Sequence, residues 1–531
     1  MAKKASSSKP KKRIAAIDLG TNSFHAVLVD IYPDGSFRTV NKLKEMVILA
    51  EKGLEDKLSR EAMDRGLEAL KRIKFLCDSH KVENILAFAT SAIREAKNGG
   101  DFIKEVGENV GIRVRAISGK MEAEMIGLAI RHSIVLEDEM VLMADIGGGS
   151  VEFIIGNQKE FIYYNSLKLG VARMAAAFVD SDPIEEKDVK KLQKHFAKEL
   201  AEVLKLAKKH KVKTIIGSSG TMENIGEMVA NRNSITAKRS LNELEFSAAD
   251  FKDLYKDFIK LNKKDRLKEK GLEEKRVDII NPGMVLLKFL VDKFKIENIK
   301  ISEGALREGM ILNYINNQKE QLNLDLVASF KDPRRRSIYE LLRKCNWPEK
   351  HSRHVSNFAL QLFDEFKEEL KLKESDRELL EYASLMHDIG YYISYRKHHK
   401  HALYLIRYSD LLGFKEDEIN IMANVARYHR KSTPAKRHEH YKQLNKKPRK
   451  RVKKLSAILR VADGLDRSHY QNVEKLEINN KKNKIQLIIT THSDPELEIW
   501  GTLRKGDLLE KLTDKKLEVF HVVENEKNNL A

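Results

Sequence analysis

Two cysteines, Cys77 and Cys345, are the only thiols in 531 residues. That scarcity excludes a disulfide framework and predicts a reducing, cytoplasmic setting. No apolar run approaches the ~20 residues that cross a bilayer, so no membrane partner is expected. The opening MAKKASSSKPKKR is basic and has no apolar core, so 1–12 reads as a disordered tail rather than a secretory signal. What remains is ordinary for a soluble chain: 42% hydrophobic residues, and enough length for several domains.

Charge is the first positive feature. Lys plus Arg is 98 and Asp plus Glu is 79, a net +19. Such an excess suits a polyanionic partner, such as nucleic acid, acidic lipid or a phosphate polymer, and equally a Lys-rich solvated surface. The positive charge concentrates in PAKRHEHYKQLNKKPRKRVKK (434–454) and PRRRS (333–337).

Residues 13–130 alternate apolar strands with amphipathic helices, and 141–310 repeat that style, which predicts α/β layers. From about 330 to 470 helices dominate. From about 471 the stretches KLEINN, KIQLIITTH, ELEIWGTL and KLEVFHV read as short strands.

The first half repeats itself. IAAIDLGTNSFHAVLVD and VLMADIGGGSVEFIIG each run strand, Asp-x-Gly-x-x-Ser, strand, with Asp18 and Asp145 in matching places. A tight glycine turn lets a ligand approach backbone N–H groups. One such turn is an ordinary hairpin. Two point to duplicated lobes across a cleft. VKTIIGSSGTMENIG adds Gly217, Ser218, Ser219, Gly220 and Thr221 at a helix start, which favours anions. It lacks the GxxxxGK[ST] spacing and its lysine, so it is not a Walker A loop. In ATSAIREA, Thr90, Ser91 and Arg94 can hydrogen-bond phosphate, although alone they read as a helix cap with a surface arginine.

Together, AAIDLGTNSFHAVLVD, ATSAIREA, ISGKMEAEMIGLAI, DIGGGSVEF, GSSGTMEN and SEGALREGM follow the order of the exopolyphosphatase / guanosine-pentaphosphate phosphohydrolase family over roughly 13–312. The chain resembles that family. The resemblance implies a two-lobed actin-like (ribonuclease H-like) α/β core, with lobes at 13–130 and 131–312. An all-α HD-like domain at 313–470 and a small α/β domain at 471–531 complete the expected organisation. It implies hydrolysis of terminal phosphoanhydrides of polyphosphate, releasing orthophosphate processively. The alternative is conversion of guanosine pentaphosphate to tetraphosphate, or both activities. A binding or signalling protein with an idle site is disfavoured by intact Glu122, Asp145 and Glu152.

The resemblance also implies roles. Glu122 is the base, with Glu124 as alternate. Met121 stands where the family usually has a further acid. Asp18, Asp145 and Glu152 hold Mg²⁺ (or Mn²⁺), and Glu152 joins Glu122 in catalysis. Gly147, Gly148 and Ser150 contact the terminal phosphate, with Asn22, Ser23 and Arg94 opposite. Glu303 and Arg307 either line the cleft or form an interlobe salt bridge. Apart from the resemblance, the basic run 434–454 offers Arg449, Lys450 and Arg451 as a track for a long phosphate polymer, or else is a solvated loop with no role in binding. A homodimer with no specific nucleic-acid partner is expected. In the C-terminal half, His354, His387, Asp388 and Asp463 follow the H…HD…D order of HD-type metal phosphohydrolases, with His399, His401 and His429 nearby. These could form a second site for a transition metal. The expectation adopted is an inherited scaffold that binds polyphosphate and holds no metal.

Overall fold

The computed structural model describes residues 10–33, 35–49, 57–233, 240–318 and 332–522. The expected tail at 1–12 lies mostly outside the described residues, and its last member, Lys12, already opens the first strand. The chain divides into two compact units, Met1–Pro333 and Arg334–Ala531. None of the described helices is long and apolar enough to cross a membrane.

The first unit holds two sheets built on one plan. The first runs Phe37–Met46, Ser23–Ile31, Lys12–Leu19, Asn84–Ala89, Val114–Ala116. The second runs Phe161–Leu167, Val151–Gly156, Val141–Ile146, Thr214–Ser218, Asn298–Ile301, with Glu245–Ser247 added at the edge. In each, three antiparallel strands precede two parallel ones. The repeat in the sequence is therefore a repeat in space, the two-lobed actin-like arrangement. Every residue of Val141–Ile146 and Val151–Gly156 is buried, as continuous apolar runs in a sheet covered on both faces require.

Helices Gly119–Ser133 and Leu306–Asn317 share one core cluster with both sheets: Ile14 and Val29 from the first, Met143 and Ile154 from the second, Ile126, Ile130 and Met310 from the helices. The expected lobe limit at 130/131 thus cuts a helix that serves both lobes.

The second unit is helical from Pro333–Lys344 to Lys446–Gly464, then carries a three-stranded sheet of Val473–Asn480, Lys484–Thr491 and Lys516–Val522. Two expectations change here. ELEIWGTL, read as a strand, is the helix Glu496–Lys505. Lys484–Thr491 and Lys516–Val522 pair in parallel, which demands a crossover, and this helix with Asp507–Thr513 supplies it. The strands also form no separate domain: Val473, Ile485, Leu487, Leu509 and Leu517 bury in the same core as Leu362, Phe363 and Val452.

Candidate active site

Asp18 and Asp145 stand near the ends of equivalent strands. Asp145 lies opposite Glu152 across its hairpin, and Asp18 opposite His25 across the other. Both turns close alike: Gly20 N donates to the Ser23 carbonyl at 3.2 Å, Gly147 N to the Ser150 carbonyl at 3.1 Å. The tips face each other, since a Cβ on Gly148 would stand 3.3 Å from Nδ2 of Asn22.

The second turn is anchored by its carbonyls. Val171 N donates to the Gly147 carbonyl at 2.9 Å, Ala172 N and Arg173 N to that of Gly148 at 3.0 and 3.3 Å, and Arg173 Nε to that of Gly149 at 3.0 Å. The first turn of helix Val171–Phe178 thus engages all three glycine carbonyls of the turn. Arg173 also reaches Glu95 at 2.8 Å.

Three buried carboxylates, Glu122, Asp145 and Glu152, share this region with the half-buried Asp18. Glu122 sits in the first turn of Gly119–Ser133, behind the Ser118 cap. Its Oε2 accepts from Arg94 Nη1 at 2.7 Å. Burial raises its pKa, Arg94 opposes the rise, and Asp145 adds to it. Glu152 Oε1 accepts from Ser150 at 2.7 Å and Ser166 at 2.6 Å. Burial, then Glu122 and Asp145, push Glu152 well above the ordinary range. Asp145 is raised by burial and partly held down by Ser218, which donates to it at 2.8 Å. Asp18 is pushed up to about 7 by burial against the pull of Arg307, and its buried Oδ1 has no hydrogen-bond partner.

Several expected contacts are rearranged. Arg94 is engaged with Glu122 and the Ile117 carbonyl, Thr90 donates to the Leu19 carbonyl, and Ser23 Oγ meets His25 Nε2. Ser91 and Thr221 hydroxyls are buried without partners. Ser150 donates to Glu152. Ser218 caps Ser219–Arg232 by position, but its hydroxyl is spent on Asp145 and not on the helix. Ser219 has φ +67° and donates to the Ile146 carbonyl, while Gly217 packs on Met222 and Gly220 on the Arg276 guanidinium. Glu303 accepts from Leu241 N, whereas Arg307 contacts His25 at 2.7 Å and lies beside Asp18, so the arginine is the cleft residue of the pair. Glu124 is exposed.

Asp18, Asp145 and Glu152 do not form a ready chelate. Among the described residues, the groups that bring three ligand atoms within 4.8 Å of one another all lie in the second unit. The serines explain it: they draw Oε1 of Glu152 and Oδ2 of Asp145 to themselves. A hard ion retaining waters and phosphate oxygens needs only one or two protein carboxylates, and the orphaned Asp18 oxygen suits it.

In the second unit His387, Asp388 and Asp463 converge as expected, but His354 does not join them. Its ring meets the edge of Phe358, and His351, three residues earlier on Glu349–Phe366, faces the acids instead. His398, His429 and His469 also belong to the group, while His399 lines a cavity alongside it. In the basic run, Arg451 pairs with the buried Asp376, Arg449 is half-buried, and Lys446, Lys447 and Lys450 are exposed on helix Lys446–Gly464. Arg173, Gly170, Ser166, Arg276 and His351 had no signal in the sequence, because each acts through a partner distant along the chain.

Residues 28–318 match the family model described as the Ppx/GppA phosphatase family, and 334–510 match Ppx/GppA phosphatase, domain III. Among solved structures, an exopolyphosphatase from Cytophaga hutchinsonii is 32% identical, with a TM-score of 0.54 over 58% of this chain and 98% of that one. An Aquifex aeolicus member of the Ppx/GppA protein family is 26% identical, with a TM-score of 0.51 over 58% of this chain and 99% of that one.

Proposed function

Since the chain belongs to the Ppx/GppA phosphatase family, we propose that it is an exopolyphosphatase that hydrolyses the terminal phosphoanhydride of inorganic polyphosphate and releases orthophosphate. The observation that carries this reading is the cleft between two equivalent hairpins, with the Gly147–Gly149 carbonyls tied back and four carboxylates beside the tips, three of them buried. Tying back the carbonyls leaves the turn's amides to face a terminal phosphate.

Glu122 takes the role of base. Its pKa is raised, as a group accepting a proton near neutral pH requires, and Arg94 fixes its direction. Asp18 and Asp145 would hold Mg²⁺ or Mn²⁺, which when bound neutralises charge on the phosphates. Arg307 and Arg276 add fixed positive charge near Asp145. Glu152, tied to two serines, holds the hairpin and is a positioning residue here. The second unit reads as an HD-like helical domain.

Guanosine pentaphosphate is the alternative substrate, because its terminal phosphoanhydride would fit the same cleft. Phosphate release from long polyphosphate and from guanosine pentaphosphate, measured side by side, tests the reading. Higher kcat/KM on the polymer is expected. Release from the nucleotide alone would reassign the substrate.

A long polymer needs contacts far from its end. Lys446, Lys447 and Lys450 are free to supply them, whereas Arg451 is committed to Asp376. Replacing the three lysines with Ala should raise KM for long chains and flatten its salt dependence, because fewer counterions are released on binding. It should leave kcat on short chains unchanged. Identical kinetics at every chain length would remove the polymer track.

The raised acids also predict a pH-dependent response to metal. A carboxyl with a raised folded-state pKa binds more protons folded than unfolded, so it loses stability as pH climbs from about 4, the ordinary carboxylate value. For Asp18 that loss continues to about 7. Mg²⁺ binds the deprotonated form and offsets it. The increase in Tm caused by Mg²⁺ should therefore be larger at pH 8 than at pH 5, ~10 °C or less for a few kcal/mol. Asp18→Asn should shrink it. An equal Mg²⁺ effect at both pH values, read by calorimetry, would contradict the assignment.

A further inference from the structure

Four imidazoles of the second unit are held in one tautomer. Nδ1 of His351 donates to Asp466 Oδ2 at 2.8 Å, that of His387 to the Ser384 carbonyl at 2.6 Å, that of His398 to the Tyr395 carbonyl at 3.0 Å, and that of His429 to the Ala426 carbonyl at 2.6 Å. Carbonyl and carboxylate oxygens only accept, so each Nδ1 carries a proton. In a neutral ring Nε2 then presents a lone pair.

These lone pairs are gathered together. His351 Nε2 lies 3.1 Å from His387 Nε2, and His398 Nε2 lies 3.4 Å from His429 Nε2. Between the two pairs stands Asp388. Its Oδ2 is 3.6 and 3.5 Å from His351 and His387, and its Oδ1 is 3.2 and 3.6 Å from His398 and His429. Asp463 Oδ1 lies 3.6 and 3.7 Å from His351 and His387. All six side chains are buried. Arg430 donates to His398 Nε2 at 3.1 Å, and Lys505 pairs with Asp463. With Arg430 on His398 and Lys505 on Asp463, the Nε2 atoms of His351, His387 and His429 and the Asp388 carboxylate face one another with no lysine or arginine bonded to them, in a place where burial makes that costly.

We propose that this cluster is a two-metal centre for divalent transition-metal ions. His351, His387, Asp463 and Asp388 Oδ2 hold one ion, His398, His429 and Asp388 Oδ1 hold the other, and Asp388 bridges them. Imidazole-rich donor sets select transition metals over Mg²⁺. Ring nitrogens that donate backwards to carbonyls or a carboxylate are the arrangement that orients metal-binding histidines. This replaces the expectation of a metal-free scaffold.

Beside the centre lies a cationic cavity of about 590 Å³, lined by Tyr395 and by Arg396, Lys397, Lys400, Arg427, Arg430 and Lys431. Tyr395 and Arg430 touch His398 directly. Six cations beside paired metal ions fit a phosphate group as the ligand. The proposal does not rest on the polyphosphatase reading, whose catalytic residues lie in the other unit.

The test uses the full chain equilibrated with Zn²⁺ and desalted, with zinc counted by mass spectrometry. Two ions per chain are expected. Asp388→Ala should lose both, and His398→Ala with His429→Ala should lose one, while Asp18→Asn with Asp145→Asn keeps both. A wild-type chain that retains no zinc overturns the proposal, as does zinc content unchanged in Asp388→Ala. Should Asp388→Ala fail to fold by circular dichroism, His429→Gln decides: it must lose one ion. Inorganic phosphate titrated into the zinc-loaded chain should release heat that Asp388→Ala and Arg430→Ala both diminish. Equal heats in all three would overturn the phosphate assignment.

Discussion

Glu122→Gln should abolish phosphate release while substrate still binds, with kcat falling by roughly 10²–10⁴. The substitution is nearly isosteric. A glutamine oxygen can still accept from Arg94, so the pairing at 2.7 Å and the packing of helix Gly119–Ser133 survive. What disappears is the capacity to take a proton from water. Burial and the neighbouring Asp145 raise the Glu122 pKa, and Arg94 keeps the carboxylate form accessible. A base set between those influences is effective near neutral pH. KM should change little, because the amide touches no more of the ground state than the acid did. Single-turnover phosphate release with polyphosphate, alongside calorimetric binding, checks both halves. Undiminished turnover would transfer the role elsewhere, and Glu124 would be a poor heir, since it is exposed on the same helix.

The parts of the site legible in the sequence are those made locally. Each Asp-x-Gly-x-x-Ser turn joins adjacent strands, so its shape follows from a few consecutive residues, and both hairpins stand where the repeat puts them. Contacts made across the fold carry no such mark. Ser166 looks like an ordinary strand serine, and Ser218 like part of an anion-binding helix start, until each meets a carboxylate from another strand. The choice between His351 and His354 is a rotation about one helix axis, decided by whichever face meets Asp388 and Asp463. The ELEIWGTL alternation misleads for a related reason. Helix Glu496–Lys505 buries Gly501 and Thr502 against Gly464, where a Cβ on Gly464 would stand 2.6 Å from the Thr502 Cα. Backbone approach of that kind depends on small residues on two distant segments, and neither segment alone announces it.

Gly170→Ala should cost about 10²-fold in kcat/KM although the residue touches no substrate. Gly170 has φ −59° and ψ 146°, values any residue adopts, so alanine brings no strain of its own. The conflict is with space. Its Cβ would stand 2.3 Å from the Gly149 carbonyl carbon and 2.4 Å from the carbonyl carbon and oxygen of Gly148. Those atoms are backbone and cannot rotate aside like a side chain. The turn must move, and the hydrogen bonds from Val171, Ala172 and Arg173 that fix its carbonyls must stretch or break. The amides of Gly148 and Gly149 move with it, away from where a terminal phosphate would sit. Overpacking of this kind costs about 1–3 kcal/mol of stability, so the protein should remain folded with a modestly lower Tm. Gly100→Ala is the control: nothing lies within 4 Å of its Cβ, and it sits inside helix Gly99–Val110, where alanine is favoured over glycine by ~1 kcal/mol. That variant should keep full activity. A Gly170→Ala enzyme that is folded and retains wild-type kcat/KM would show that the glycine turn does not hold the reacting phosphate.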